Sequence, residues 1–211
     1  MPNHIQNVLR ISAYEFKGCP PTLIDEILAA IKSEQLPMDF GRIIPMPEGL
    51  NIESGSRADC ARALFDDAEA QKIGSYPWAS QCRTLGEIRE LLRTKYLQSP
   101  QEGFPRLDDL SARIRENLDK YGAQTWYDWS IEHWGTKWNA YSAVAGKLDD
   151  QAAVVCFETA WSPPMPVLDA LAAKFPTADI RLIWCDEGDD RQHRVYWADG
   201  KRDANDEAAA A

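Results

Sequence analysis

Val154-Val-Cys-Phe-Glu-Thr-Ala-Trp-Ser-Pro-Pro164 is the stretch whose reading decides the fold. Apart from Glu158, its first eight residues are β-branched, small or aromatic, the composition of a strand. Ser162-Pro163-Pro164 then opens a helix, because proline in a first turn forfeits no internal hydrogen bond. Val167, Leu168, Leu171, Ala172 and Phe175 follow at i, i+1, i+4, i+5 and i+8, one apolar stripe, and Pro176 stops it. The chain opens in the same way. Ile5–Ile11 reads as a strand with Ile5, Leu9 and Ile11 in register and Val8 the exception to alternation. Cys19-Pro20-Pro21-Thr22 opens a helix whose stripe, Leu23, Ile24, Ile27, Leu28 and Ile31, repeats the same offsets.

Asp39–Pro45 reads as a short second strand, Ile180–Cys185 as a fourth, and Arg194–Trp197 as a fifth paired across the Asp186–Gln192 turn. Strand, Pro-Pro, helix, strand thus occurs twice. Two such units sharing one sheet predict an α+β fold, the ferredoxin-like split β-α-β arrangement, with an antiparallel sheet and both helices on one face. The residues between the units predict a large helical insertion between strands 2 and 3. The expected organisation is a discontinuous sheet domain over 1–47 and 150–200, a helical insertion over 48–149 packed on it, and a flexible tail over 201–211.

The insertion carries its own signals. Ala61, Leu64, Phe65 and Ala68 make a short stripe. Thr84-Leu-Gly-Glu87 is a capping box leading into Leu85, Ile88, Leu92 and Tyr96. Leu107, Leu110, Ile114, Leu118 and Tyr121 form a longer stripe stopped by Gly122. Thr125 caps a helix with Tyr127, Ile131 and Trp134 on one face, ended by Gly135. Five of the eight tryptophans fall within Gly122–Tyr141 and Val154–Pro164. They are expected to fill the seam between sheet and insertion.

Bulk properties narrow the function. A chain of 211 residues with net charge -10 lacks the basic stripe of a nucleic-acid binder, so nucleic acid is an unfavoured partner. The five cysteines are scattered, without Cys-x-x-Cys, and predict reduced, mostly buried thiols. The first residues show no secretory signal and no window is apolar enough to span a bilayer, so a cytoplasmic location away from membranes is expected. No phosphate-cradling glycine motif is present, and the three histidines have no metal-ligand spacing, so neither cofactor nor metal is predicted. Nothing in the sequence fixes an oligomeric state.

Several blocks agree, in order, with a known family. Met1-Pro-Asn-His, Ile43-Ile-Pro-Met-Pro47, Trp126-Tyr-Asp-Trp129, Trp134-Gly-Thr-Lys-Trp138 and Phe157-Glu-Thr-Ala-Trp-Ser-Pro-Pro164 together resemble the YubB-type ferredoxin-like domain family of plasmids, prophages and phages. His133 departs from the asparagine expected ahead of the Trp-Gly-Thr-Lys-Trp block. The resemblance implies a ferredoxin-like fold and a mobile-element origin, and brings no established activity.

The polar residues within these blocks are the candidates for chemistry. His133, Trp134, Lys137, Trp138, Glu158 and Trp161 form the candidate binding set. An enzyme would pair Glu158 with Lys137 or His133 as acid and base beside a Trp-lined pocket at the sheet–insertion junction. A structural role would close Lys137 on Glu158 as an ion pair and have Asn3 and His4 hydrogen-bond backbone at the strand start. The structural role is favoured, because no nucleophile–base–orienter series is visible. Base stacking on Phe157, Trp161 and Trp184 is a third reading, and the neighbouring Glu158, Asp186 and Glu187 have the wrong sign for it. The expectation is a non-catalytic mobile-element accessory protein that binds a host or element-encoded protein, with inhibition of host defence as one sharp version.

Overall fold

The computed structural model describes residues 3–14, 17–97, 105–189 and 191–203. Along the chain run β1 (His4–Ser12), α1 (Leu23–Ile31), α2 (Ser56–Ala63), α3 (Asp67–Gly74), α4 (Leu85–Leu97), α5 (Leu107–Tyr121), α6 (Trp126–Trp134), β2 (Tyr141–Asp149), β3 (Ala152–Ala160), α7 (Met165–Lys174), β4 (Asp179–Asp186), β5 (His193–Ala198) and β6 (Lys201–Arg202). The strands form one sheet in the order β2-β3-β1-β4-β5-β6, antiparallel at every pairing. Its first four positions, with α1 and α7 as crossovers, have the ferredoxin-like order. The β5-β6 ribbon extends it.

The two expected halves share this sheet: β1 lies between β3 and β4, with Leu9 opposite Val155 on one side and Leu182 on the other. Burial alternates along β1, so that Ile5, Asn7, Leu9 and Ile11 face the core and Gln6 and Arg10 face solvent. The stripes of α1 (Leu23, Ile24, Ile27, Ile31) and α7 (Val167, Leu168, Leu171, Ala172) are buried as their spacing required. Helix α7 begins directly after Pro163-Pro164, and α1 begins after Pro20-Pro21 with Thr22 as its N-cap.

The second strand is the main correction. Asp39–Pro45 is not a strand; Phe40–Arg42 is a single 3-10 turn capped by the Asp39 carboxylate, which accepts from the Gly41 N–H at 2.9 Å. Strand 2 is β2, a sequence that the expected boundaries put inside the insertion. Helices α2–α5 therefore fall between α1 and β2, not between the second and third strands. Tertiary bonds hold the displaced turn: Asn139 Oδ1 accepts from the Phe40 N–H at 2.8 Å, and the Trp134 indole N–H donates to the Ile44 carbonyl at 2.9 Å. Phe40 is fully buried against Trp134 and Phe157.

The chain divides into two compact units, Met1–Met46 with Ser130–Ala211, and Pro47–Trp129. The helical excursion thus ends earlier than residue 149, with 130–149 belonging to the sheet unit. Within Pro47–Trp129 a core of Ala61, Ile73, Ile88, Leu92, Leu110 and Ile114 forms, with Phe65 and Leu118 packed on it. The Thr84–Glu87 capping box is present, each residue bonding the other's backbone N–H at 3.2 Å. Gly122 caps α5 with φ 71, its N–H on the Leu118 carbonyl.

Smaller expectations fail locally. Ala68 is exposed, because Asp66 ends the Ala61 stripe by capping a new helix, α3. Ile131 is also exposed, and the buried side of α6 carries Trp129, Ser130 and Trp134 instead. Residues 201–202 form β6 rather than tail, pairing Lys201 with Ala198; residues 204–211 lie outside the described set.

Candidate binding site at the head of the sheet

Strand β3 ends at Ala160, and the next residue, Trp161, takes the left-handed conformation (φ 76). That twist breaks the two-residue alternation, so Trp161 does not continue the buried face of Phe157 and Thr159 and stands 43% exposed. Its backbone N–H is anchored on the Asn3 carbonyl at 3.0 Å. Opposite, the turn after α6 is tied to the same strand end. The Thr136 hydroxyl donates to the Ala160 carbonyl at 2.8 Å, and the Ser162 hydroxyl donates to the carbonyl of Gly135, which has φ 74. A Cβ at Gly135 would sit 2.7 Å from Pro166 Cδ, so this close approach requires glycine.

These ties bring Lys137 between two indoles. Its Nζ lies 4.7 Å from the Trp138 ring centroid and 4.8 Å from that of Trp161, cation–π distances to both. Trp138 meets Tyr141 edge to face at 6.5 Å, and Tyr141 meets His4 in the same manner at 5.7 Å. In the strand register Tyr141 lies opposite Glu158. The Tyr141 hydroxyl donates to the Thr159 carbonyl at 3.2 Å and shares a 2.6 Å hydrogen bond with His4 Nδ1. Glu158 Oε2 stands 3.9 Å from the same His4 nitrogen.

Burial, then the Glu158 and Glu187 charges, raise the Tyr141 pKa above the usual phenol value. The phenol stays protonated at neutral pH, and both its hydrogen-bonding directions are used within the protein. The His4–Tyr141–Thr159 series works as a brace across β1, β2 and β3.

Of the sequence-predicted set, Lys137, Trp138 and Trp161 come together directly, and Glu158 joins them through Tyr141. Trp134 is buried with its indole N–H on Ile44, a packing role. His133 is half-buried near the end of α6. All six belong to the sheet unit, so the cluster is built within that unit. His4 and Asn3 differ from expectation, meeting Tyr141 and the Asp186 carboxylate (3.3 Å) rather than backbone. Tyr141 was missed; the signal available was its place directly after the Trp-rich block. Phe157 is only 2% exposed and faces the core, which removes it from any base-stacking platform. Cys156, by contrast, is exposed against the expectation of mostly buried thiols. Among the described residues no three His, Cys, Asp or Glu side chains are grouped to hold a metal.

Known proteins bear on this unit. A family model described as "Ferredoxin-like domain in Api92-like protein" matches residues 133–201, which run from the end of α6 to the start of β6. That stretch supplies β2, β3, α7, β4 and β5 of the ferredoxin-like sheet, which β1 completes from outside the match. The match includes all six candidate residues, His133, Trp134, Lys137, Trp138, Glu158 and Trp161. A crystal structure of a protein api92 from Yersinia pseudotuberculosis is 12% identical, covers 100% of this chain and 98% of its own, and superposes with a TM-score of 0.46. No curated protein matches the chain. No helix among the described residues is long and apolar enough to cross a membrane.

Proposed function

We propose that this chain is a non-catalytic protein-binding module, a YubB-type accessory protein of phages or plasmids that acts inside the cell on a host or element-encoded protein, with inhibition of host defence as its sharpest use. One observation carries the reading: an exposed tryptophan, held in a strained backbone conformation, shares a lysine with a second indole at the head of the sheet. Tryptophan is among the side chains that carry most of the binding energy at protein interfaces. Left-handed backbone at a non-glycine residue persists only where its surroundings over-determine it, and such residues gather at binding sites.

The test is capture from a lysate of the source cell with the full chain and with Lys137→Glu/Trp161→Ser. A partner held by the first and lost by the second is the expected result. Recovery of no stable partner, or equal recovery by both, would overturn the proposal. Genes of phage or plasmid modules beside this one are the expected genomic setting.

A second reading, an enzyme centred on His4, Tyr141 and Glu158, draws on the 2.6 Å His4–Tyr141 contact. It predicts a pH-dependent turnover abolished by His4→Gln. The closed hydrogen-bond series favours the binding reading.

A further inference from the structure

The sheet has a second face, and the strand register writes it out. Three rows cross the strands on the side away from Ile5, Leu9 and Ile11. One reads Gly146, Val154, Arg10, Arg181, Tyr196; the next Val144, Cys156, Val8, Ile183, Arg194; the third Tyr141, Glu158, Gln6, Cys185. The middle row is largely aliphatic, and Val144 is 68% exposed. Arg194 ends that row and Arg10 and Arg181 stand in the next one, in a chain whose net charge is -10.

Arg10 and Arg181 are direct cross-strand partners, an arrangement that repels. Arg181 rests over the Tyr196 ring at 5.8 Å, and among the described residues Arg10, Arg181 and Arg194 make no ion pair with a carboxylate. The carboxylates bordering this face are engaged elsewhere: Asp179 takes the Lys17 ammonium at 2.6 Å, and Glu158 lies beside His4. A face that gathers arginines without pairing them to its own carboxylates is built for a ligand that brings counter-charges.

We infer that this sheet face docks an acidic amphipathic helix of a partner protein, its apolar side on the Val144–Cys156–Val8–Ile183 row and its carboxylates on Arg10, Arg181 and Arg194. Cross-strand Cβ atoms lie roughly 4.5–5.5 Å apart, and the Cβ atoms of helix residues three or four apart lie about 5–6 Å apart, so acidic residues at that spacing match the arginine pair. Bidentate Arg–carboxylate pairs then supply register as well as attraction. Single-stranded nucleic acid fits less well. It needs successive rings for stacking, whereas the rings in these rows are Tyr196, already covered by Arg181, and Tyr141, two rows away and packed against Trp138 and His4.

This inference deepens the protein-binding reading by naming a partner chemistry, but it uses residues other than Lys137 and Trp161, so the two fail separately. The experiment is selection of a displayed library of random 16-residue peptides on the full chain, followed by fluorescence anisotropy of the selected peptides and of a labelled dT20 oligonucleotide. Enrichment of Asp or Glu flanking Leu, Ile or Phe at helical spacing is the expected result. Affinity should then fall tenfold or more in Arg10→Glu/Arg181→Glu and stay unchanged in Arg106→Glu/Arg113→Glu, which alters exposed arginines of the helical unit. Arg10→Gln provides a folded control: relieving the Arg–Arg repulsion should raise the melting temperature while weakening the peptide. No enrichment, peptides indifferent to the arginine reversals, or dT20 bound more tightly than any peptide in an Arg10-dependent way would each overturn the inference.

Discussion

Trp161 shows how much one residue's backbone can decide. Left-handed φ costs an L-residue roughly 1–2 kcal/mol relative to glycine, which has no Cβ to clash. Trp161→Gly and Trp161→Ala both delete the indole, but only glycine relieves the backbone. Urea denaturation should therefore find the glycine variant more stable than the alanine variant by about 1 kcal/mol. Alanine at least as stable as glycine would show that φ 76 carries no strain here. The sequence placed Lys137, Trp138, Glu158 and Trp161 among the candidates because aromatic and charged residues alternate in those blocks. It could not disclose that Trp161 leaves the strand's alternation, since tryptophan is an ordinary strand residue and nothing local demands positive φ. Nor could it pair His4 with Tyr141, residues far apart in the chain and adjacent only through β1, β3 and β2.

Elements set by local chemistry were legible, and those set by distant partners were not. The Thr84–Glu87 box, the Gly122 stop and the Pro-Pro helix starts each depend on residues within one or two turns. Asp66 is a further local device. Its carboxylate accepts from the N–H groups of Ala68 and Glu69 and from Arg62, and the Arg62 hydrogen bond leads in lowering its pKa. A carboxylate with a depressed native pKa stabilises the fold in full above the unfolded value, and that contribution is lost as pH falls through the native one. Asp66→Ala should cost about 1 kcal/mol at neutral pH, the typical worth of an N-cap. Urea midpoints of the two proteins should converge as pH drops below the carboxylate range; a constant gap would refute the cap's electrostatic role. Strand 2 shows the opposite case. Ile43 and Ile44 have the composition of a strand, yet Asn139 and Trp134 fix that segment as a turn. Tyr141–Asp149, rich in alanine with a glycine and polar ends, forms the edge strand because β3 offers it a partner.

At the scale of the whole molecule, the sheet unit depends on one aromatic junction. Phe157 is 2% exposed and meets Phe40 edge to face at 6.0 Å, and Phe40 in turn meets Trp134. Phe157→Ala should destabilise the sheet by about 3–5 kcal/mol, since a buried ring leaves a cavity as well as lost transfer energy. Hydrogen–deuterium exchange should speed most in β1, β3 and the 39–45 turn; unchanged protection there would place the junction outside the cooperative core. What the sequence determined by itself was the repeated strand–proline–helix unit, the in-register apolar residues of β1, and the helical nature of the middle, because apolar spacing and caps act over a few residues. The tertiary structure alone decided which segment became the second strand, where the helical excursion enters the fold, and which side chains meet at the head of the sheet. Strand pairing and side-chain hydrogen bonds between distant residues carry no local signature, and they outweigh the modest propensities of the segments they join.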